Sequence, residues 1–231
     1  MLMAGKDWRG QALPNALSGF GLVVQGVLLI LCGLAVLTSA SAQSAPPVPI
    51  VALGDSLTAG YGLPANAAFP VVLEKALKAR GYSVSIINAG VSGDTSQGGL
   101  DRLDWSVPDG IRGVILELGA NDALRARNPA DTMRALDGII TRLKARNIEV
   151  MLCGMLAPPN LGAEYTRAFE KVFTDLAQRH GLVFYPFFLD GVAGEPKLNQ
   201  RDGIHPTAEG IRVITGRILP KAEEFIKRLA N

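Results

Sequence analysis

Five short runs rich in apolar and β-branched residues recur along this chain, each followed by a stretch with helical periodicity. They are "IVALG" (50–54), "SVSIINAG" (83–90), "GVILELG" (113–119), "VMLCGM" (150–155) and "LVFYPF" (182–187). Between them lie "FPVVLEKALKARG" (69–81), "SQGGLDRLDW" (96–105), "PADTMRALDGIITRLKARN" (129–147) and "AEYTRAFEKVFTDLAQRHG" (163–181). Apolar residues there recur every three or four positions, the period of a helix with one buried face. Strands that read as near-continuous apolar runs suit a parallel sheet covered on both sides. The pattern therefore predicts an α/β domain of three layers, α/β/α, around a parallel sheet of about five strands. A last helix is expected from Pro206 towards Leu229, with Pro220 as a point of kinking.

Open parallel sheets bind ligands beyond the carboxyl ends of their strands. Four small, polar, glycine-rich stretches fall at or after such ends. These are "GDSLTAGYG" (54–62), "NAGVSGDTS" (88–96), "GAND" (119–122) and, further along, "DGIHP" (202–206). All should meet on one rim. His205 is one of only two histidines in the chain, and it is the rim residue able to act as a base near neutral pH. Asp202, three residues earlier, can hold the far ring nitrogen, and Pro206 is expected to open the following helix.

Ser56, Thr58, Ser92, Thr95 and Ser96 are the available hydroxyl nucleophiles. Ser56 leads them, because it directly follows the first strand in a turn flanked by Gly54 and Gly60; Asp55 is read as support for that turn. Acyl transfer also needs donors aimed at the developing oxyanion. The backbone N–H groups of Ser56 and Gly93 and the side-chain amide of Asn121 offer three, from three different strand ends.

Together, "GDSL", Gly93 in "VSGDTS", Asn121 in "GAND" and "DGIHP" resemble the blocks of the SGNH (GDSL) hydrolase family in order and spacing. Within that family the chain is most similar to the bacterial periplasmic thioesterase I/lysophospholipase/arylesterase group, including "MLAPPNLGAEY" and "FYPFFL". The resemblance spans roughly residues 48 to 229. It implies a flavodoxin-like fold, a catalytic Ser56–His205–Asp202 triad and an oxyanion hole from Ser56, Gly93 and Asn121. The implied substrate is a small acyl ester, thioester or lysophospholipid, cleaved without any cofactor. A carbohydrate acetylesterase or a non-catalytic binding module on the same fold are the alternatives. Ala120 is a departure, standing where relatives often carry glycine.

Other classes fit less well. Lys+Arg 23 against Asp+Glu 21 gives a net charge of +2 with no basic stripe, which argues against nucleic acid as a partner. "GYGLPA" (60–65) mimics a dinucleotide-binding fingerprint. However, Pro64 interrupts it and Ser56 to Ala59 separate it from the strand. Asp55, Asp94, Asp122 and Asp202 could crowd a cation, but one rim histidine and no dense carboxylate cluster argue against a metal site. Cys153, inside an apolar run, is read as a core residue.

The first 42 residues differ from the rest. Lys6 and Arg9 precede a nearly wholly apolar run from Phe20 to Leu37, and Ala40-Ser41-Ala42 places small residues where a signal peptidase reads. The expectation is a signal peptide cleaved after Ala42, a linker over 43–49 and a hydrolase domain over 50–231, in the periplasm or secreted. The alternative is an uncleaved inner-membrane anchor through residues 17–37.

Overall fold

The computed structural model describes residues 46–229; the segment read as a signal peptide or anchor lies outside them. Five strands form one sheet: β1 (Val48–Gly54), β2 (Val84–Gly90), β3 (Gly113–Glu117), β4 (Glu149–Cys153) and β5 (Val183–Tyr185). All neighbours are parallel, in the order β2-β1-β3-β4-β5. That is the flavodoxin-like order, whose direction of winding reverses between β1 and β3. β1 begins two residues before the expected domain start, within the stretch read as linker, because Val48 pairs with Val84.

The longer helices are α2 (Phe69–Ala79), α6 (Pro129–Ala145), α7 (Ala163–His180) and α8 (Ala208–Leu229). Shorter ones are α1 (Ser56–Ala59), α3 (Ser96–Asp101), α4 (Leu103–Ser106) and α5 (Ala120–Leu124). Helices α2 and α8 pack together on one face of the sheet, and α3, α6 and α7 cover the other. Strands β1 and β3 are therefore buried on both sides: Ile50, Val51, Leu53, Val114 and Leu116 are wholly inaccessible. Each such side chain contributes roughly 1.5–3 kcal/mol by leaving water. Cys153 is fully buried among them, and its burial pushes the thiol well above its ordinary value.

Two expectations about helices are corrected. The stretch 96–105 is two helices that break at Arg102, whose side chain turns inward to bind strand ends. The last helix does not start at Pro206. Pro206 pairs with Asn199 in an antiparallel bridge, and Thr207 caps the helix by accepting from the Gly210 N–H at 3.2 Å. Pro220 lies inside α8, which continues through it to Leu229.

Candidate active site

Strand register decides which residues meet. Gly54 stands level with Gly90 on one side and Glu117 on the other, and Glu117 is level with Cys153. The loops that follow β1, β2 and β3 thus leave the sheet at one height, beside its switch point. There the chain places Ser56, Gly93 and Asn121 along one pocket, with His205 arriving from the loop before α8.

Ser56 begins α1, a single turn capped by Asp55, whose Oδ1 accepts the Leu57 N–H at 2.9 Å. Gly54 allows this tight exit: a Cβ there would lie 2.1 Å from Thr58 Oγ1 and 2.7 Å from the Glu117 carbonyl oxygen. Ser56 Oγ is 2.9 Å from His205 Nε2, and His205 Nδ1 is 2.7 Å from Asp202 Oδ2. Asp202 Oδ1 accepts the backbone N–H groups of Ile204 and His205 at 2.9 and 3.0 Å. The His205 backbone bond, then the His205 side-chain bond, then the Ile204 bond lower the Asp202 carboxyl to about 2. An ionised Asp202 fixes the proton of the neutral ring on Nδ1 and leaves Nε2 free to accept from the Ser56 hydroxyl. Tyr61 covers the imidazole, with ring centroids 4.5 Å apart and a tilt of 39°.

Gly93 adopts φ +81°, a left-handed conformation that side chains resist. A Cβ there would meet nothing nearer than Arg125 Nη2 at 3.9 Å, so backbone conformation and not space calls for glycine. Asn121 opens onto the same pocket, and its Nδ2 donates to Asp55 Oδ2 at 3.2 Å. Asp55 is thus more than a turn support. One carboxylate caps the serine turn and also orients the asparagine amide, leaving the second Nδ2 hydrogen for the pocket. Ser92 lines the pocket too, whereas Thr58 and Ser96 are buried and donate to Glu117 Oε2 and Asp122 Oδ1, both at 2.7 Å. Thr95 caps α3.

Several residues support the site in ways their positions in the sequence do not show. Arg102, nearly buried, pairs with Asp94 at 2.6 Å and donates to the carbonyls of Gly54 and Ala89 and to Ser106 Oγ. It ties the serine-bearing strand to the Gly93 loop. Asp122 accepts from the Ser96 N–H, Ser96 Oγ and Thr132 Oγ1, which anchors the residue after Asn121. Glu117 lies fully buried under the serine turn. Burial, then the charge of Asp55, push its carboxyl well above the ordinary value. Asp55 itself, desolvated by burial, is raised to about 6. The one visible signal was an acidic residue in the otherwise apolar run "GVILELG".

The four rim aspartates that could have gathered round a cation are each engaged: Asp55 with Leu57 and Asn121, Asp94 with Arg102, Asp122 with Ser96 and Thr132, and Asp202 with His205. The pocket holds about 620 Å³. Apart from Ser56, Asn121 and His205 its walls are mainly apolar, with Leu57, Leu124, Met155, Leu156, Phe187 and Ile204 among them.

Comparison with known proteins places this geometry in context. The chain is 37% identical to "Esterase TesA" of Pseudomonas aeruginosa over 179 residues, covering 77% of this chain and 89% of that protein. It is 39% identical to "Thioesterase 1/protease 1/lysophospholipase L1" of Escherichia coli over 161 residues, 69% of this chain and 76% of that one. Among solved structures, the crystal structure of TesA superposes with a TM-score of 0.73 at 34% identity, covering 77% of this chain and 99% of that chain. AlinE4, an SGNH-hydrolase family esterase, superposes with a TM-score of 0.66 at 43% identity, covering 78% and 97%. The profile of the GDSL-like Lipase/Acylhydrolase family matches residues 52–213, from β1 through the Asp202–His205 loop into α8, and the chain belongs to that family.

Proposed function

We propose that this protein is a serine hydrolase of carboxylic esters and thioesters, acting through an acyl-enzyme on Ser56. The observation that carries the reading is the continuous contact from Asp202 Oδ2 through His205 to Ser56 Oγ, at 2.7 and 2.9 Å. Nucleophile, base and orienting carboxylate stand at hydrogen-bond distance, the arrangement acyl transfer requires.

In this mechanism Ser56 Oγ attacks the acyl carbonyl carbon while its proton passes to His205 Nε2. The imidazolium is stabilised by Asp202 at Nδ1. The carbonyl oxygen, now an anion, accepts from the N–H groups of Ser56 and Gly93 and from Asn121 Nδ2. Collapse of the tetrahedral intermediate breaks the bond to the alcohol or thiol, which leaves with the His205 proton. A water, deprotonated by His205, then attacks the acyl-enzyme, and the same donors meet the second oxyanion. Collapse of this intermediate breaks the bond to Ser56 Oγ, which takes the proton back from His205 as the carboxylic acid leaves.

The names of the relatives, an esterase and a thioesterase/lysophospholipase, support the same class. The apolar pocket favours acyl chains well beyond acetyl, which speaks against the carbohydrate acetylesterase alternative. A non-catalytic binding module has no need of the three side chains in register. Residues 1–42 we read as an export signal with cleavage after Ala42.

A hydrolysis panel of acyl esters, acyl-CoA thioesters, lysophospholipids and acetylated sugars, run with the unaltered protein and Ser56→Ala, tests the proposal. Ser56→Ala should lose at least ~10³-fold in kcat while keeping its fold. A variant retaining more than about a tenth of the activity rejects the assignment.

A further inference from the structure

The pocket walls carry no carboxylate and no lysine or arginine, yet a guanidinium stands at their edge. Arg125 follows Leu124, a pocket residue, and its Nη2 donates to the Gly93 carbonyl at 2.9 Å. The bond holds the cation beside a glycine that lines the pocket. Among the described residues Arg125 has no carboxylate partner, whereas nearby Asp94 is taken by Arg102 and Asp202 by His205. The side chain is exposed and has further N–H donors beyond the one on Gly93. An uncompensated, pre-oriented guanidinium is suited to a phosphate-like anion.

Resting on the hydrolase reading above, we propose that Arg125 is a specificity-determining residue that binds an anionic group, a phosphate ester above all, on the leaving portion of the substrate. The acyl chain enters the apolar pocket. The leaving group therefore has to project away from it, past the rim where Gly93 and Arg125 lie. A substrate of this kind has an apolar tail, a scissile carbonyl and a phosphate-bearing alcohol or thiol. Both acyl-CoA thioesters and lysophospholipids satisfy that description, and the matched pairs below separate them.

The test compares kcat/KM within pairs that share one acyl chain: octanoyl-CoA against octanoyl-N-acetylcysteamine, and octanoyl lysophosphatidic acid against monooctanoylglycerol. The quantity read is the ratio of the anionic to the neutral member, which cancels any general loss from disturbing the Gly93 loop. Arg125→Gln should lower that ratio about 10-fold in at least one pair, equivalent to about 1.4 kcal/mol; the pair that responds identifies the source of the phosphate. Arg125→Lys should keep part of the preference and Arg125→Glu should lower it further. With the unaltered protein, raising ionic strength from about 0.02 to about 0.5 M should shrink the same ratio, a measurement that does not depend on any variant folding. Ratios that stay constant in both pairs, through substitution and through salt, overturn the proposal and leave Arg125 as a brace for the Gly93 carbonyl. Failure of the unaltered protein to cleave either member of both pairs refutes the hydrolase reading instead.

Discussion

Replacing Asn121 with alanine separates binding from catalysis at this site. The amide faces the pocket with one hydrogen directed to Asp55 Oδ2 at 3.2 Å, so its other hydrogen is available to a carbonyl oxygen held over Ser56. That oxygen bears full charge only in the tetrahedral intermediate. The lost interaction is therefore made in the transition state more than with bound substrate. Removing one such donor costs ~3–4 kcal/mol, or roughly 10²–10³-fold in kcat, with KM changed little. The structure adds a second, independent effect. Asp55, buried and already raised to about 6, would lose one of its donors. An unpaired buried acceptor costs about 1–3 kcal/mol of stability. Steady-state kinetics on a chromogenic ester and urea unfolding on the same preparation read both effects. Asn121→Asp should be as slow or slower, because its carboxylate would stand against both the oxyanion and Asp55. A rise in KM with kcat spared would show that Asn121 contacts the ground-state substrate, and the oxyanion assignment would be wrong.

Stability should also respond to pH through Asp55. Its carboxyl is at about 6 in the fold against 3.8 in a free chain, so between those values the folded state keeps a proton the unfolded chain has released. Folding stability from this group is complete below pH 3.8 and declines as pH rises to 6, by about 3 kcal/mol; Asp55→Asn should flatten that decline in urea titrations, and an unchanged slope would refute the assignment. Arg102→Met leaves Asp94 without its partner and should lower unfolding free energy by about 3–5 kcal/mol. Adding Asp94→Asn to that variant should recover part of the loss, and a loss under about 1 kcal/mol for Arg102→Met would mean the clamp is unimportant. Terminal sequencing of the exported protein should begin at Gln43; recovery of residues 17–37 intact in the membrane fraction would establish an anchor instead.

The layout of the sheet was legible because period is a strong signal. Fully buried parallel strands such as Val114–Leu116 leave no polar alternation, and the amphipathic stretches between them have the helical repeat. The candidate site residues stood out for another reason: Ser56, Gly93, Asn121 and His205 lie in short polar stretches outside the strands, where packing does not call for those residue types. Their supports were hidden by distance along the chain. Nothing within "DRLDW" reveals that Arg102 reaches the carbonyl of Gly54, 48 residues away, nor does "GDSL" show that Asp55 meets Asn121, 66 residues on. Element ends were blurred where side chains compete with the backbone. Thr207 caps α8 where a proline rule would start it two residues earlier, and the inward turn of Arg102 divides one periodic stretch into two helices.

Stoichiometric labelling with a fluorophosphonate, followed by peptide mass spectrometry, shows whether Ser56 is a nucleophile activated by His205. One label per chain is expected, on Ser56, with loss of ester hydrolysis in proportion to labelling. Ser56→Ala should take no label and His205→Ala should label far more slowly, since the hydroxyl then lacks the acceptor that stands 2.9 Å away. Labelling on Ser92, or full hydrolytic activity in protein whose Ser56 is completely modified, would rule Ser56 out as the nucleophile.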